Sequence, residues 1–355
     1  MLLSSGLEFP FLFRPENIAR YEDGEVFILD RRVFPFKREF VRCSTCEDTA
    51  KAVEDMVTQS GGPRFAVGYG MVQAAHAVRD LKKEAQQEAM EKAANRLINT
   101  RSTQNMIRDQ VLYMLDLAAP ALEEGKDLEQ VMLDAVNTTF ERRDQVGVAL
   151  GGYAASMLKD GDVILNHCWA ESGIIYTVYC ALQKGLKLEA VCSETRPYLQ
   201  GARLTADALA EMGLPTKVVT DGMPAMLMSQ GKISVFMTGA DRVTMDGHVI
   251  NKIGTLSHAV SAFHFGVPYY PFCFGPDPEA PTPAEVEIEY RDPEEVMHCL
   301  SVRTATEKAV GLYPAFDITP PRFVSAVITD RGVMSPYALD KYYEEGAGPQ
   351  RGMIG

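Results

Sequence analysis

The sequence predicts an α/β protein: a C-terminal Rossmann-like parallel-sheet domain joined to an N-terminal domain of a small β-sheet plus a helical bundle. Three observations predict it. Short apolar runs alternate with amphipathic stretches after Gly161-Asp162, apolar residues recur at three and four spacing from about Ala50 to Leu158, and β-branched and aromatic residues cluster among turn formers at 24–43. At 355 residues the chain can form two domains, and the change of texture sets their limits at 1–145 and 146–355.

Taken in order, GEVFILDRRVFPFKREFVRC (24–43) reads as two or three short strands. Helical periodicity follows near 48–59, 64–98, 103–119 and 126–158, with Val111, Met114, Leu115 and Ala118 on one face of the third segment. The runs DVILNH, LEAVCS, TKVVTD, ISVFMTG and VPYYPF then read as strands. They alternate with amphipathic stretches at 173–185, 203–213, 222–230 and 253–266, the pattern of a parallel sheet with helices on its faces. The Pro-rich stretch 274–284 reads as a loop.

Composition narrows the function classes. Acidic residues outnumber basic ones by 48 to 35, giving a net charge of −13, and no Lys/Arg run stands out, so a nucleic-acid partner is not expected. No apolar run approaches the roughly 20 residues that span a bilayer, and the first residues lack the basic-then-apolar order of a secretory signal. Seven cysteines are an odd set, read as reduced thiols, and the expected compartment is the cytoplasm. Cys43 and Cys46 form a C-x-x-C, but neither a second pair nor a nearby His completes a zinc site. The six histidines show no metal-ligand spacing, so no metal is expected. Neither G-x-G-x-x-G nor G-x-x-x-x-G-K-[ST] is present, so no nucleotide cofactor is expected either.

In open parallel sheets ligands bind beyond the carboxyl ends of the strands. That rim would carry Asn166-His167-Cys168, Ser193-Glu194-Thr195-Arg196, Asp221, and Thr238-Gly239-Ala240-Asp241. Cys168, at a strand end just before a helix, is expected to feel the positive helix terminus and to favour thiolate. Most single cysteines are buried apolar residues, so composition alone does not select it. Asp241 reads either as a loop ion pair or as a buried carboxylate that moves protons. Asn251-Lys252-Ile253-Gly254-Thr255 and Gln200-Gly201-Ala202-Arg203 each read as the opening of a helix suited to an anion, with Arg101 and Arg196 adding positive charge.

The blocks ETRPYLQGARLTA (194–206), TGADRV (238–243) and NKIGT (251–255) resemble the signature of the methylthioribose-1-phosphate isomerases. That family also includes ribose-1,5-bisphosphate isomerase and the regulatory subunits of initiation factor 2B. LDRRVFP (29–35), GYGM (68–71), TRST (100–103), RDPEEV (291–296) and YPAFDITPP (313–321) extend the resemblance over most of the chain. It implies a cofactor-free aldose–ketose isomerase, acting in methionine salvage on a C5-modified ribose 1-phosphate and assembled as a homodimer. Cys168 and Asp241 would be the catalytic pair. Gly61, Gly62, Arg64, Arg101, Gln200, Asn251 and Lys252 would hold the phosphate and sugar hydroxyls.

Two departures bear on the substrate. Where the family reads HCNTG, this chain has HCWAESG, with its single Trp169 beside the thiol. The RGAP phosphate loop is replaced by Ser60-Gly61-Gly62-Pro63, leaving Arg64 as the cation nearest to the missing arginine. The resemblance therefore implies 5-methylthioribose 1-phosphate as substrate, with 5-deoxyribose 1-phosphate also possible. Ribose 1,5-bisphosphate would need more cations near C5, and a non-catalytic regulatory subunit would have no use for Cys168 and Asp241 at two strand ends.

Overall fold

A computed structural model describes residues 8–101 and 105–344. They form two compact units, Phe11–Gln145 on one side and residues 8–10 with 146–344 on the other. The boundary falls inside a single helix, so no linker marks it.

The first unit opens with a helical turn, α1 (Pro15–Ile18), and an antiparallel sheet of β1 (Ala19–Glu22), β2 (Glu25–Leu29) and β3 (Phe40–Cys43). Helix α2 (Cys46–Glu54) starts from a capping box, in which the Thr45 hydroxyl accepts from the Asp48 amide and the Asp48 carboxylate accepts from the Thr45 amide. Helix α3 (Gly62–Val78) is apolar around its circumference and buried almost throughout, as a bundle's central helix must be. Helices α4 (Lys83–Ile98), α5 (Asn105–Glu123) and α6 (Leu128–Ser156) complete the unit, residues 102–104 lying outside the described part.

The periodicity predicted one helical segment over 64–98, but the chain breaks at 79–82. The amide of the Gln86 side chain there donates to the carbonyls of Arg79 and Leu81, satisfying groups that a continued helix would have used. Polarity also changes at the break, from the buried α3 to the half-exposed α4.

The second unit is built on β4 (Val163–His167), β5 (Glu189–Ser193), β6 (Thr216–Val219), β7 (Val235–Thr238) and β10 (Tyr269–Pro271), all parallel, in the order β10-β7-β4-β5-β6. The interior strands are buried along nearly their whole length, whereas β6 at one edge is largely open and β10 at the other carries its proline. From β4 the chain steps outward through β5 to β6 and then returns to β7 on the opposite side. The order therefore reverses between β4 and β7, the position where such sheets open a crevice. His167 pairs with both Ser193 and Thr238, and Ser193 with Val219, so four strands end level at one rim.

Helices α7 (Ser172–Gln183), α8 (Ala206–Glu211), α9 (Pro224–Ser229) and α10 (Thr255–Phe265) connect the strands. The stretch at 203–213 does not begin as an α-helix. It enters through a π-helical turn, Gly201–Thr205, drawn so close to β5 that a Cβ on Gly201 would lie 1.8 Å from the Ser193 carbonyl oxygen. Asn251 and Lys252 do not open a helix either. They end β9 (Val249–Lys252), the centre of an antiparallel sheet with β8 (Arg242–Val243) and β13 (Phe316–Thr319), and α10 begins only after Gly254 at φ +104°. Two small hairpins complete the unit, β11 (His298–Cys299) with β12 (Val302–Arg303) and β14 (Val327–Thr329) with β15 (Gly332–Met334).

Candidate active site

Cys168 leaves β4 at φ +67°, a conformation that costs a non-glycine residue roughly 1–3 kcal/mol and survives only when its surroundings enforce it. Two threonines enforce it. The Cys168 amide donates to Thr195 Oγ1 at 2.9 Å, and its carbonyl accepts from the Thr205 hydroxyl. Thr195 is itself fixed at φ +63°, because the Asp221 carboxylate accepts from the amides of Thr195 (2.8 Å) and Arg196 (2.7 Å). The ends of the ETRPYLQGARLTA block thus act as a clamp on the thiol-bearing residue.

His167, the residue before Cys168, is fully buried. Its Nε2 lies 2.9 Å from the Ile253 carbonyl, which can only accept, so that nitrogen carries the hydrogen and Nδ1 accepts from Ser193 Oγ at 2.6 Å. Burial pushes its pKa down to about 4, leaving the ring neutral.

Across the rim, Asp241 follows β7, and its amide is tied to the Ile250 carbonyl of β9 at 2.9 Å. The β9 end places Asn251 and Lys252 alongside. Asn251 Nδ2 donates to Thr255 Oγ1 at 3.0 Å. Lys252 is buried, with Nζ 4.4 Å from the centre of the Phe316 ring and no hydrogen bond or ion pair among the described residues. Gln200 is buried at the mouth of the π-helical turn. Asp317, the residue after Phe316, accepts from the amides of Gly254 and Leu256 at the start of α10. Burial nevertheless raises its pKa to about 6.

The electrostatics of Cys168 depart from expectation. Its side chain is half-buried and that of Asp241 exposed, yet both are surrounded by protein, as groups lining a recess are. Burial pushes the Cys168 thiol up to about 11, and the charge of Asp241 adds to the rise, while Lys252, the Trp169 amide and Arg291 oppose it. Burial therefore opposes the thiolate expected at the helix terminus and favours the protonated thiol. Asp241 is raised by burial and by Glu289 against Lys252 and Arg291. Lys252 is lowered by burial and by Arg291, the charges of Cys168, Asp241 and Glu289 opposing.

The other predicted positions lie in the first unit. Arg101 donates to the carbonyls of Val53 (2.7 Å) and Thr58 (3.1 Å). The turn that follows Thr58 carries Gly61 and Gly62, and a Cβ on Gly62 would meet Thr58 Oγ1 at 2.0 Å. Arg101 and the two glycines therefore share one locality. Arg31, not singled out from the sequence, joins them by donating to the Gln59 carbonyl at 2.6 Å. Arg64, on α3, donates instead to Gln110 Oε1 at 3.1 Å, and burial pushes it down to about 10.

Two cations counted from the sequence toward an anion seat are bonded to backbone. Arg196 donates to the carbonyls of His298 (2.6 Å) and Val296 (3.3 Å), and Arg203 to that of Tyr198. Sequence reading missed Arg291, Glu289 and Tyr313, although RDPEEV and YPAFDITPP already marked their neighbourhood. It also missed a grouping: His167, Asp221 and His258 each bring a ligand-type atom within 4.8 Å of the others. Both nitrogens of His167 and both oxygens of Asp221 are hydrogen-bonded within the protein, and Asp221 through Thr195 braces the backbone of Cys168. Cys43 and Cys46 are thiols raised to about 11 by burial. No helix among the described residues is long and apolar enough to cross a membrane.

The profile of the Initiation factor 2 subunit family matches residues 64–336. A methylthioribose-1-phosphate isomerase of Thermotoga petrophila is 35% identical over 328 residues, 87% of this chain and 92% of that protein. The crystal structure of 5-methylthioribose 1-phosphate isomerase from Pyrococcus horikoshii superposes with a TM-score of 0.84 at 30% identity, covering 92% of this chain and 96% of that one. The delta subunit of translation initiation factor eIF-2B from A. fulgidus follows at 0.79 and 30%, covering 90% and 96%. On these matches, and with the TGADRV block at the strand end that carries Asp241, the chain belongs to the Initiation factor 2 subunit family, among its methylthioribose-1-phosphate isomerases.

Proposed function

We propose that this protein converts 5-methylthioribose 1-phosphate into 5-methylthioribulose 1-phosphate, without a cofactor, as a cytoplasmic homodimer. The observation that carries the reading is the meeting of Cys168 and Asp241 at the reversal point of the sheet, one after β4 and the other after β7, with Lys252 beside both. In the proposal Asp241 and Cys168 are the catalytic pair. Gly61, Gly62, Arg64, Arg101, Gln200, Asn251 and Lys252 have the phosphate- and hydroxyl-binding roles that family membership suggests.

Phosphate on C1 prevents spontaneous ring opening, so a proton has to be delivered to the ring oxygen. Asp241, its pKa raised by burial, is suited to arrive protonated and act as that acid. The C1–O4 bond breaks as O4 takes the proton. Hydrogen then passes from C2 to C1 as hydride, and the Asp241 carboxylate recovers a proton from the C2 hydroxyl as C2 becomes the ketone. Every proton is returned and no electron acceptor is needed. A thiol raised to about 11 supports this route over proton abstraction by a Cys168 thiolate, and in this reading the sulfur shields the C1–C2 bond from water.

The test is turnover of 5-methylthioribose 1-phosphate, 5-deoxyribose 1-phosphate and ribose 1,5-bisphosphate, followed by carbon NMR. A ketose from the methylthio sugar is expected, and the deoxy sugar reports how strictly C5 is read. Failure of all three would remove the isomerase reading and leave the regulatory role of the eIF-2B relatives. In heavy water, deuterium at C1 of the product would exclude the hydride route.

A further inference from the structure

Beside the catalytic pair stands a further charged pair, Arg291 at the head of the RDPEEV block and Glu289 just before it. Arg291 donates through Nε to Glu289 Oε1 at 2.8 Å and through Nη2 to Glu289 Oε2 at 3.3 Å, a two-point clamp. Its backbone is equally fixed. The Arg291 amide donates to the Tyr313 carbonyl at 3.0 Å, the Ala315 amide to the Glu289 carbonyl at 2.8 Å, and Tyr290 bridges Pro314. Segment 289–291 is thereby laid along 313–315, the stretch that runs into β13. Strand β13 pairs with β9 so that Phe316 lies opposite Lys252.

The two cations consequently share one ring. Lys252 Nζ stands 4.4 Å from the centre of Phe316 and the Arg291 guanidinium 5.7 Å from it. Two positive side chains are held beside Cys168 and Asp241, and among the described residues Glu289 is the one carboxylate hydrogen-bonded to either of them. Asp241, Glu289 and Glu295 share the same field, but Lys252 is ion-paired with none of them among the described residues, and a buried ammonium so placed is costly unless an anion reaches it.

We propose that Arg291 is the second cation of the substrate's anion seat, acting with Lys252 around Phe316 on the C1 phosphate, and that Glu289 is a positioning residue for it. The inference rests on the isomerase reading and deepens it. Division of labour follows from the chemistry of the two side chains. Lysine loses its proton readily when buried, and Lys252 is lowered in that direction, whereas the arginine charge is permanent. Arg291 therefore supplies the part of the seat that does not depend on pH. With Glu289 engaged at Nε and Nη2, the planar fork is oriented before a ligand arrives.

The test uses the full chain with 5-methylthioribose 1-phosphate. Arg291→Met is expected to raise KM by about 10- to 100-fold, the effect of losing hydrogen bonds to a charged group, with a smaller change in kcat. Arg291→Lys keeps the charge without the fork and should recover part of the loss. Glu289→Gln should raise KM by less than Arg291→Met. A second readout needs no turnover: alkylation of Cys168 by iodoacetamide, followed at that peptide by mass spectrometry. Arg291 opposes the rise of the thiol, so its removal should shift alkylation to higher pH and abolish protection by inorganic phosphate. A folded Arg291→Met with KM within twofold of the parent overturns the proposal, and so does an Arg291→Lys that is no better than Arg291→Met. If the unaltered protein turns over none of the sugars, the isomerase reading has failed. Phosphate protection of Cys168 in the parent but not in Arg291→Met would still support the anion seat, and equal protection in both would overturn it.

Discussion

Two regions of this protein were rich in arginine or lysine on paper, and they differ in what those cations hold. Around the turn at 58–62, Arg31 and Arg101 donate to the backbone carbonyls of Gln59, Val53 and Thr58. At the end of β9, Lys252 has an aromatic ring beneath it and no hydrogen-bond partner among the described residues, with the clamped Arg291 beside it. The first arrangement stabilises backbone that would otherwise leave carbonyls unsatisfied. The second costs stability and is retained where an anion can compensate it. Arg101, which the proposal places at the phosphate beside Gly61 and Gly62, is thus fixed by backbone carbonyls, whereas Lys252 is held against an aromatic ring.

The largest expected effect lies at the catalytic pair. Cys168→Ala and Asp241→Asn should each lower kcat by at least about 10³-fold, with thermal melting close to the parent, because neither side chain is ion-paired among the described residues and the Cys168 sulfur is met only by the Trp169 amide. Near-parental turnover in either variant would remove that residue from the chemistry. Next, Lys252→Met should lower kcat/KM by about 100-fold while leaving stability unchanged or raised by about 1 kcal/mol, since it replaces an unpaired buried charge by an apolar chain. Arg196→Ala should do the reverse, losing about 1–2 kcal/mol in denaturant titration as the carbonyls of Val296 and His298 lose their donor. If the two variants exchanged these signatures, the contrast between ligand-facing and backbone-bonded cations would fall.

The clamp on Cys168 gives a smaller effect. Thr195→Val removes the acceptor for the Cys168 amide and should cost about 1 kcal/mol and roughly tenfold in kcat, through misplacement of the sulfur. A stability loss with unchanged kcat would show that the backbone strain at Cys168 is not used. The smallest and most diagnostic change is in thiol reactivity. With the group raised to about 11, the thiolate fraction, and hence Cys168 alkylation by iodoacetamide, should keep rising about tenfold per pH unit from pH 8 to pH 10. A plateau by pH 8 would restore the thiolate that the helix terminus was expected to favour. The sign for Asp241 is the opposite in function. Because its acid form is needed first, kcat/KM should fall as pH rises through its raised pKa, and a decline confined to the ordinary carboxylate range would contradict the assigned role.

Local pattern was sufficient for the parts that rest on local physics. The buried runs DVILNH, LEAVCS and ISVFMTG became β4, β5 and β7, and the helix-period segments became the bundle, because period and burial are properties of a few neighbouring residues. The single segment expected at 64–98 failed for a local reason that periodicity does not carry, the Gln86 side chain satisfying the carbonyls at the break. Asn251 and Lys252 were misread as a helix start because β9 is the centre of a sheet, and its far end, at Asn251 and Lys252, pairs with β13, more than 60 residues away.

The site divides in the same way. Sequence by itself determined that Cys168 and Asp241 would stand at strand ends, since a parallel sheet puts the residues after its strands on one rim. It could not determine the protonation of the thiol, which depends on the depth of protein around the sulfur, nor which cations were already bonded to backbone. Arg291 comes 50 positions after Asp241 and reaches the recess through hydrogen bonds to Tyr313 and Ala315, while His167 and His258 meet across 91 positions. Charges and carbonyls act through space over a few ångströms, so only the folded chain decides which of them meet.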